Sequence, residues 1–275
     1  MAEIVGVFAA SHTPVMLNFP GLIAEGDLAE VQAGFAELGR RIAACRAQAI
    51  VVISDDHMHN FFLDNLPAFA IGAAEGYETP IEAWLKADKR VLPGDPVLGA
   101  YLVGEAYEAG FDPALSLNLT LDHGTLTPLE LAGVDRTTPI VPVLVNCVQP
   151  PLPTMRRCLE LGGFLGRALR VYTGVDRVAV LATGGLSHDV GTPRMGLVNE
   201  AFDRGFLNHL GGGDAAALLD FATRQVNEAG NGAEEVRMWL TAHGIAGPGG
   251  LDVIYYKGLP DWYAGIGVAQ WRLET

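Results

Sequence analysis

Residues 49–64 read AIVVISDDHMHNFFLD, an apolar run followed at once by two aspartates and two histidines. The run has the length and the Val/Ile content of a β-strand that is covered on both faces. Open α/β sheets bind their ligands at the carboxyl ends of such strands. A strand that ends in Asp55, Asp56, His57 and His59 therefore predicts a polar site at one edge of a sheet.

Similar apolar runs recur along the chain and alternate with segments of helical periodicity. Strands are predicted at 3–10, 49–54, 68–72, 114–119, 139–146 and 177–184, with DVIYY and GIGVAQW near the end, and helices at 27–48, 96–109, 154–172, 196–210, 214–229 and 233–243. This order predicts an α/β fold, with a largely parallel or mixed central sheet flanked by helices and an active site at the C-terminal strand ends. We expect one catalytic domain over residues 1–275. The irregular segment 75–96 is typical of a lid or binding loop.

The composition narrows the classes of partner. A net charge of −14 opposes binding to nucleic acid or to an anionic membrane surface, because both reward clustered Lys and Arg. The sequence has neither an apolar run of membrane-spanning length nor a signal-peptide pattern, so we expect a cytoplasmic protein. Cys45, Cys147 and Cys158 form no CxxC pair, which favours reduced, buried thiols.

Four of the seven histidines, His12, His57, His123 and His188, each follow a predicted strand. Imidazole binds metals when neutral and moves protons near neutral pH, so this set predicts metal ligands together with acid/base groups. His209 and His243 fall in predicted helices, where we expect surface or capping roles.

An Fe(II) site of the facial-triad type needs a carboxylate beside two histidines. Glu234 and Glu235 open a predicted helix and are candidates, although acids at that position also stabilise a helix N-terminus.

Several motifs now make the chain similar to a known family. They are SHTP (11–14), DDHMHNFFLDNLPAFAIG (55–72), LDHGTLTPL (121–129), GGLSH (184–188), PRMGLVNEAFD (193–203) and GAEEVRMWL (232–240). With them the chain resembles the type III extradiol ring-cleavage dioxygenases, the group built around the catalytic β subunit of protocatechuate 4,5-dioxygenase.

The resemblance implies a non-haem Fe(II) held by His12, His57 and a glutamate. Counting back from Trp239 selects Glu235, whereas counting forward from Gly232 would favour Glu234. The resemblance also implies that His188 is the acid/base residue and that His123 is a second proton-handling or substrate-contacting histidine.

The implied reaction opens a catecholic ring with O2 to a semialdehyde-type product. The PRMGLVN segment resembles the protocatechuate and gallate branch more than the enzymes for catechols with a propionate tail. This implies Arg194 as a partner for a ring carboxylate and His59 in the pocket wall. A carboxyethylcatechol or an aminophenol is the alternative substrate. The resemblance further implies a homo-oligomer, with or without a small helical partner subunit. The lid would then come from that partner, from another copy or from segment 75–96.

Three other functions compete with this interpretation. The same His, His and Glu set would suit a zinc hydrolase, because zinc accepts these ligands and keeps a position for water. A serine hydrolase is disfavoured, because GGLSHD lacks the second glycine of the G-x-S-x-G elbow. A non-catalytic paralogous subunit is disfavoured because every ligand and proton-handling position is filled.

Overall fold

The computed structural model describes residues 1–273. Ten strands lie in this range: β1 Glu3–Ala10, β2 Ala49–Ser54, β3 Phe69–Gly72, β4 Gly76–Thr79, β5 Arg90–Pro93, β6 Ala114–Ser116, β7 Ile140–Val145, β8 Arg177–Thr183, β9 Leu251–Leu259 and β10 Ala264–Trp271. The helices are α1 Val15–Asn18, α2 Glu25–Cys45, α3 Pro96–Glu108, α4 His123–Leu131, α5 Met155–Val171, α6 Glu200–Gly211, α7 Ala215–Ala229 and α8 Val236–Ala246.

Eight strands form one mixed sheet in the order β6-β3-β7-β2-β8-β1-β10-β9. The four central strands, β7, β2, β8 and β1, are parallel to one another, whereas β3 pairs with β7, and β10 with β1, in the antiparallel direction. The mixed sheet confirms the predicted α/β fold. Because the central strands are parallel, their carboxyl ends share one edge of the sheet.

Helices cover both faces of the sheet, which is why β2 and β7 are buried along their whole length. On one face α5 and α8 pack together against the central strands, and α3 packs on β3. On the other face α2 packs on β1, β9 and β10, and α4 on β2 and β8. In α2 the predicted apolar stripe, with Val31, Phe35, Leu38 and Ile42, is the buried face.

Three parts of the chain differ from the prediction. Segment 75–96 contains an antiparallel pair of short strands, β4 and β5, where an irregular loop was expected. The strand predicted at 114–119 is only three residues long. His123 therefore does not follow a strand directly but is the first residue of helix α4, whose start is capped by the Asp122 side chain accepting from Gly124 N.

The parallel strands gather distant sequence motifs at one edge. His12 lies two residues after β1, His57 three residues after β2, and the GGLSH motif directly after β8. Within residues 1–273, no helix combines the length and the apolar character needed to cross a membrane.

Candidate metal centre

His12 and His57 are held by hydrogen bonds at Nδ1. His12 Nδ1 lies 3.3 Å from Thr183 Oγ1, which donates its own proton to Ser54 Oγ and so accepts from the imidazole. His57 Nδ1 donates to Asp122 Oδ2 at 2.9 Å, and the same oxygen accepts from His57 N. This network assigns the proton of each ring to Nδ1, so that Nε2 is the free ligand atom.

His123 and His188 are held in the same way. His123 Nδ1 donates to Glu82 Oε1 at 2.6 Å, and His188 Nδ1 donates to the Leu186 carbonyl at 3.0 Å. The His123 ring also lies against that of His57, with ring centroids 4.1 Å apart. All four histidines predicted from the sequence therefore have Nδ1 anchored by the protein, which leaves Nε2 of each ring as the atom that can bind a metal or accept a proton.

Glu235 brings a carboxylate to the same place. It ends the 3-10 turn Gly232–Glu235 just before α8, and its oxygens lie 3.3 Å from His12 Nε2, 3.4 Å from His188 Nε2 and 3.8 Å from His57 Nε2. One of them also accepts from Gly185 N at 2.5 Å. Glu234 instead pairs with Arg237. Of the two candidate glutamates, the structure brings Glu235 to the histidines.

Burial and mutual charge shift the pKa values in this cluster. Burial raises the pKa of Glu235, but His12 and His188 outweigh it and hold that pKa well below its usual range. Burial lowers the pKa of His57, whereas the carboxylates of Asp55 and Asp122 raise it well above its usual range. The buried acids thus create a site where positive charge is stabilised.

The donor set fits a divalent metal ion. His12 Nε2 is buried and has no hydrogen-bond partner among the described residues. Ligand atoms of His12, His57 and Glu235, together with Asp55, all lie within 4.8 Å of one another. Two imidazole nitrogens with a carboxylate are ligands that divalent iron and zinc both accept. A cation at this point would give His12 Nε2 the partner that it lacks.

A cavity of about 320 Å³ opens onto these residues. Its inner end is polar, with His12, His57, His123, His188 and Glu235. Its outer wall is mostly apolar and includes Val15, Val148, Val190, Met195, Trp262 and Tyr263. A cavity of this size suits a small aromatic molecule with its ring on the apolar wall.

The other two predicted site residues lie outside this cavity wall. Arg194 pairs with Asp189 at 3.2 Å and donates to the Glu228 carbonyl at the end of α7. His59 Nε2 lies 3.4 Å from Glu82, the acid that also holds His123, and His59 is not one of the residues that line the cavity in the described part of the chain.

Sequence reasoning missed Glu82, the partner of His123. Glu82 lies in the connection between β4 and β5 and is buried, and its two oxygens accept from both the backbone N and Nδ1 of His123. A single acid in a segment that looks like a loop gives no periodic signal.

His243 was also misjudged, because it is buried and accepts from Trp271 Nε1 instead of lying on the surface.

The GGLSH loop is fixed by a second buried acid, Asp203 of α6. It accepts from Ser187 N at 2.7 Å, from Ser187 Oγ at 2.8 Å and from Tyr256 Oη at 2.8 Å. Ser187 Oγ in turn accepts from Asn199 N. Ser187 is therefore a structural hydroxyl that orients the loop, which agrees with the sequence argument against a serine nucleophile.

Comparisons with known proteins identify the family to which the chain is similar. The family model described as the catalytic LigB subunit of aromatic ring-opening dioxygenase matches residues 6–267. A protein of Paraburkholderia xenovorans named 2,3-dihydroxyphenylpropionate/2,3-dihydroxicinnamic acid 1,2-dioxygenase is 32% identical over 86% of this chain and 90% of its own. A protein of the same name from Burkholderia vietnamiensis is 29% identical over 96% of both chains. The crystal structure of an uncharacterized Escherichia coli K12 protein has the same fold, with a TM-score of 0.63 at 18% identity over 97% of this chain and 100% of its own.

Proposed function

The chain belongs to the family of catalytic LigB subunits of aromatic ring-opening dioxygenases and is an extradiol ring-cleavage dioxygenase, and from this we propose that it opens a catecholic ring with an Fe(II) held by His12, His57 and Glu235. The proposal takes residues 1–275 as one catalytic domain. The observation that carries it is the convergence of two anchored imidazole Nε2 atoms and one buried carboxylate at the inner end of the cavity. Two histidines and one carboxylate are the ligand set of non-haem Fe(II) oxygenases.

When bound, the iron supplies the coordination sites and the electron path through which a catechol reduces O2. The protein supplies the rest of the reaction as proton transfer. A catechol must lose protons from its hydroxyl groups on binding, and the cleaved ring must regain one. An imidazole with a pKa near neutrality serves both steps.

His188 and His123 are the two groups placed for this work. Each keeps the proton on Nδ1, bound to Leu186 O and Glu82 respectively, so Nε2 is free to accept a proton from a substrate hydroxyl. Their environments differ. Burial lowers the pKa of His188 but Glu235 raises it above its usual value, whereas burial and the neighbouring His57 lower the pKa of His123. We assign the acid/base role to His188, with His123 assisting.

The apolar outer wall favours a catechol that carries an apolar substituent on its ring in addition to the two hydroxyl groups. Within the described part of the chain, the cavity wall includes no lysine and no arginine, and Arg194 is held by Asp189 and backbone carbonyls. A substrate carboxylate, whether on the ring as in protocatechuate or at the end of a side chain, would therefore find no cationic partner in this wall, and what the apolar wall favours is the methylene groups of a side chain. The names of the relatives point instead to a catechol with a three-carbon side chain, which was the alternative drawn from the sequence.

The test is anaerobic reconstitution with Fe(II), followed by O2 uptake with a panel of substrates. The panel comprises 2,3-dihydroxyphenylpropionate, 3-propylcatechol as its uncharged match, protocatechuate, gallate and 2-aminophenol. We expect Fe(II)-dependent O2 uptake and a yellow ring-opened product, with a higher kcat/KM for the two substituted catechols than for protocatechuate. Activity with Zn(II) in place of Fe(II), or preference for gallate or protocatechuate, would contradict the proposal.

A further inference from the structure

One part of the outer cavity wall is built by residues 189–199, here called the wall segment, which connect the GGLSH motif with helix α6. The wall segment contains neither a strand nor a helix. It contributes Val190 and Met195 to the cavity wall, and these side chains are 59% and 47% exposed. Because regular backbone pairing and deep burial both leave this segment unsupported, its position depends on the contacts that its side chains make elsewhere.

Arg194 joins the middle of the wall segment to the end of helix α7. Its Nε lies 3.2 Å from Asp189 Oδ2, and its Nη2 donates to the Glu228 carbonyl at 2.8 Å. Carbonyl groups in the last turn of a helix have no partner within the helix and carry the negative end of its dipole, so they suit a guanidinium. The planar fork of an arginine contacts an acid and a carbonyl at once, which a lysine ammonium does not reproduce.

The two ends of the wall segment are tied to the same region. Asn231 spans Val190, because its Oδ1 accepts from Val190 N at 2.8 Å and its Nδ2 donates to Val190 O at 3.0 Å. At the other end, Asn199 Nδ2 donates to the Glu228 carbonyl at 3.2 Å. Arg194 is the tie between these two, directly beside the residue that the segment places furthest along the wall.

We propose that Arg194 is a positioning residue that sets the specificity of the cavity for the substituent on the catechol ring. It holds Val190 and Met195 where the substituent packs, and it contacts no substrate atom itself. This inference rests on the proposed function, in which the diol lies at the inner end of the cavity and the substituent at the outer wall. The alternative drawn from the sequence, that Arg194 binds a substrate carboxylate, predicts a different dependence on substrate.

The experiment measures kcat and KM of the Fe(II)-loaded wild type, Arg194→Gln and Arg194→Lys with three substrates. Catechol has no substituent, 3-propylcatechol has an apolar one, and 2,3-dihydroxyphenylpropionate has a chain of the same length that ends in a carboxylate. Arg224→Gln is the matched control, because Arg224 is an exposed arginine of α7 that pairs with Asp220 and its loss changes the net charge equally.

A second measurement, hydrogen exchange followed by mass spectrometry, is made on the metal-free proteins and does not depend on activity. If Arg194 holds the wall segment, amides in 189–199 should exchange faster in Arg194→Gln than in the wild type, with Arg224→Gln unchanged. Thermal melting of the same samples checks that each variant folds.

We expect Arg194→Gln to raise KM about tenfold for both substituted catechols, the order of effect that one methylene group has in an apolar pocket. The kcat and KM for catechol should stay within about twofold, because the diol site is intact, and Arg194→Lys should restore only part of the loss.

A loss confined to 2,3-dihydroxyphenylpropionate would overturn the inference and make Arg194 the partner of a substrate carboxylate. An equal loss with all three substrates, no loss with any of them, or unchanged hydrogen exchange in 189–199 would also overturn it. Absence of Fe(II)-dependent O2 uptake by the wild type with every substrate would instead overturn the proposed function.

Discussion

Asp55 and Asp203 are two acids with similar burial and opposite surroundings. Burial raises the pKa of each to about 6. Asp203 accepts three hydrogen bonds from Ser187 and Tyr256, whereas the oxygens of Asp55 accept none within the described residues. A buried acid with donors fixes the shape of its neighbourhood, as Asp203 does for the GGLSH loop. A buried acid without donors is stabilised by a nearby cation, and Asp55 has ligand atoms within 4.8 Å of those of His12, His57 and Glu235.

The largest expected effect on activity comes from removing one of the proposed metal ligands. His57→Ala and Glu235→Ala should lose the metal and reduce ring cleavage by about 1000-fold or more, because most of the rate enhancement depends on the bound ion. Metal content by mass spectrometry and O2 uptake on the same samples measure both quantities.

Two other histidines serve as controls for this prediction. His188→Ala should keep its metal and yet lose turnover by about 100-fold, as expected for removal of an acid/base group. His59→Ala, two residues from His57, should keep both metal and most activity. A His57→Ala protein with full metal content would contradict the ligand assignment.

The raised pKa of Asp203 should make the stability of the protein depend on pH. Because the folded pKa is about 6 and the unfolded value is near 3.9, the folded chain holds the extra proton between these two pH values. The free energy of unfolding should therefore fall as the pH rises from about 4 to 6, by up to about 3 kcal/mol from this residue.

Asp203→Asn isolates that contribution from those of the other carboxylates. The difference in unfolding free energy between the wild type and Asp203→Asn, from urea titrations of the metal-free proteins, should move in favour of the variant as the pH rises through this range. A difference that is constant from pH 4 to 7 would show that Asp203 titrates normally.

The smallest effect is expected at Glu82, which acts on substrate only through His123. Glu82→Gln keeps the size of the side chain but weakens the hydrogen bond that holds Nδ1, so kcat should fall by about tenfold with the metal retained. The pH profile of kcat should shift as well, which a purely structural role would not produce. An unchanged profile with a lower melting temperature would assign Glu82 to stability alone.

The sheet was predictable because its buried central strands are continuous runs of Val, Ile, Leu and Ala. The four histidines were predictable as a group because parallel strands bring their carboxyl ends to one edge. The choice between Glu234 and Glu235 was not, because neighbouring residues in the 3-10 turn Gly232–Glu235 point in directions that differ by about 120°. The partners of the histidines, Glu82 and Asp122, lie 41 and 65 residues from the rings that they hold, and no local pattern encodes such a pairing.

The anchoring of every site imidazole through Nδ1 has a consequence for how the protein acquires its metal. The rings are held by the fold itself, through Thr183, Asp122, Glu82 and the Leu186 carbonyl, so no ion is needed to gather them. The metal-free protein should therefore be a folded receptor that loads and exchanges its ion without unfolding, unlike small zinc domains that fold only around their metal. Which divalent ion it carries in a cell is then decided by donor chemistry and by the supply of each metal at the time of loading.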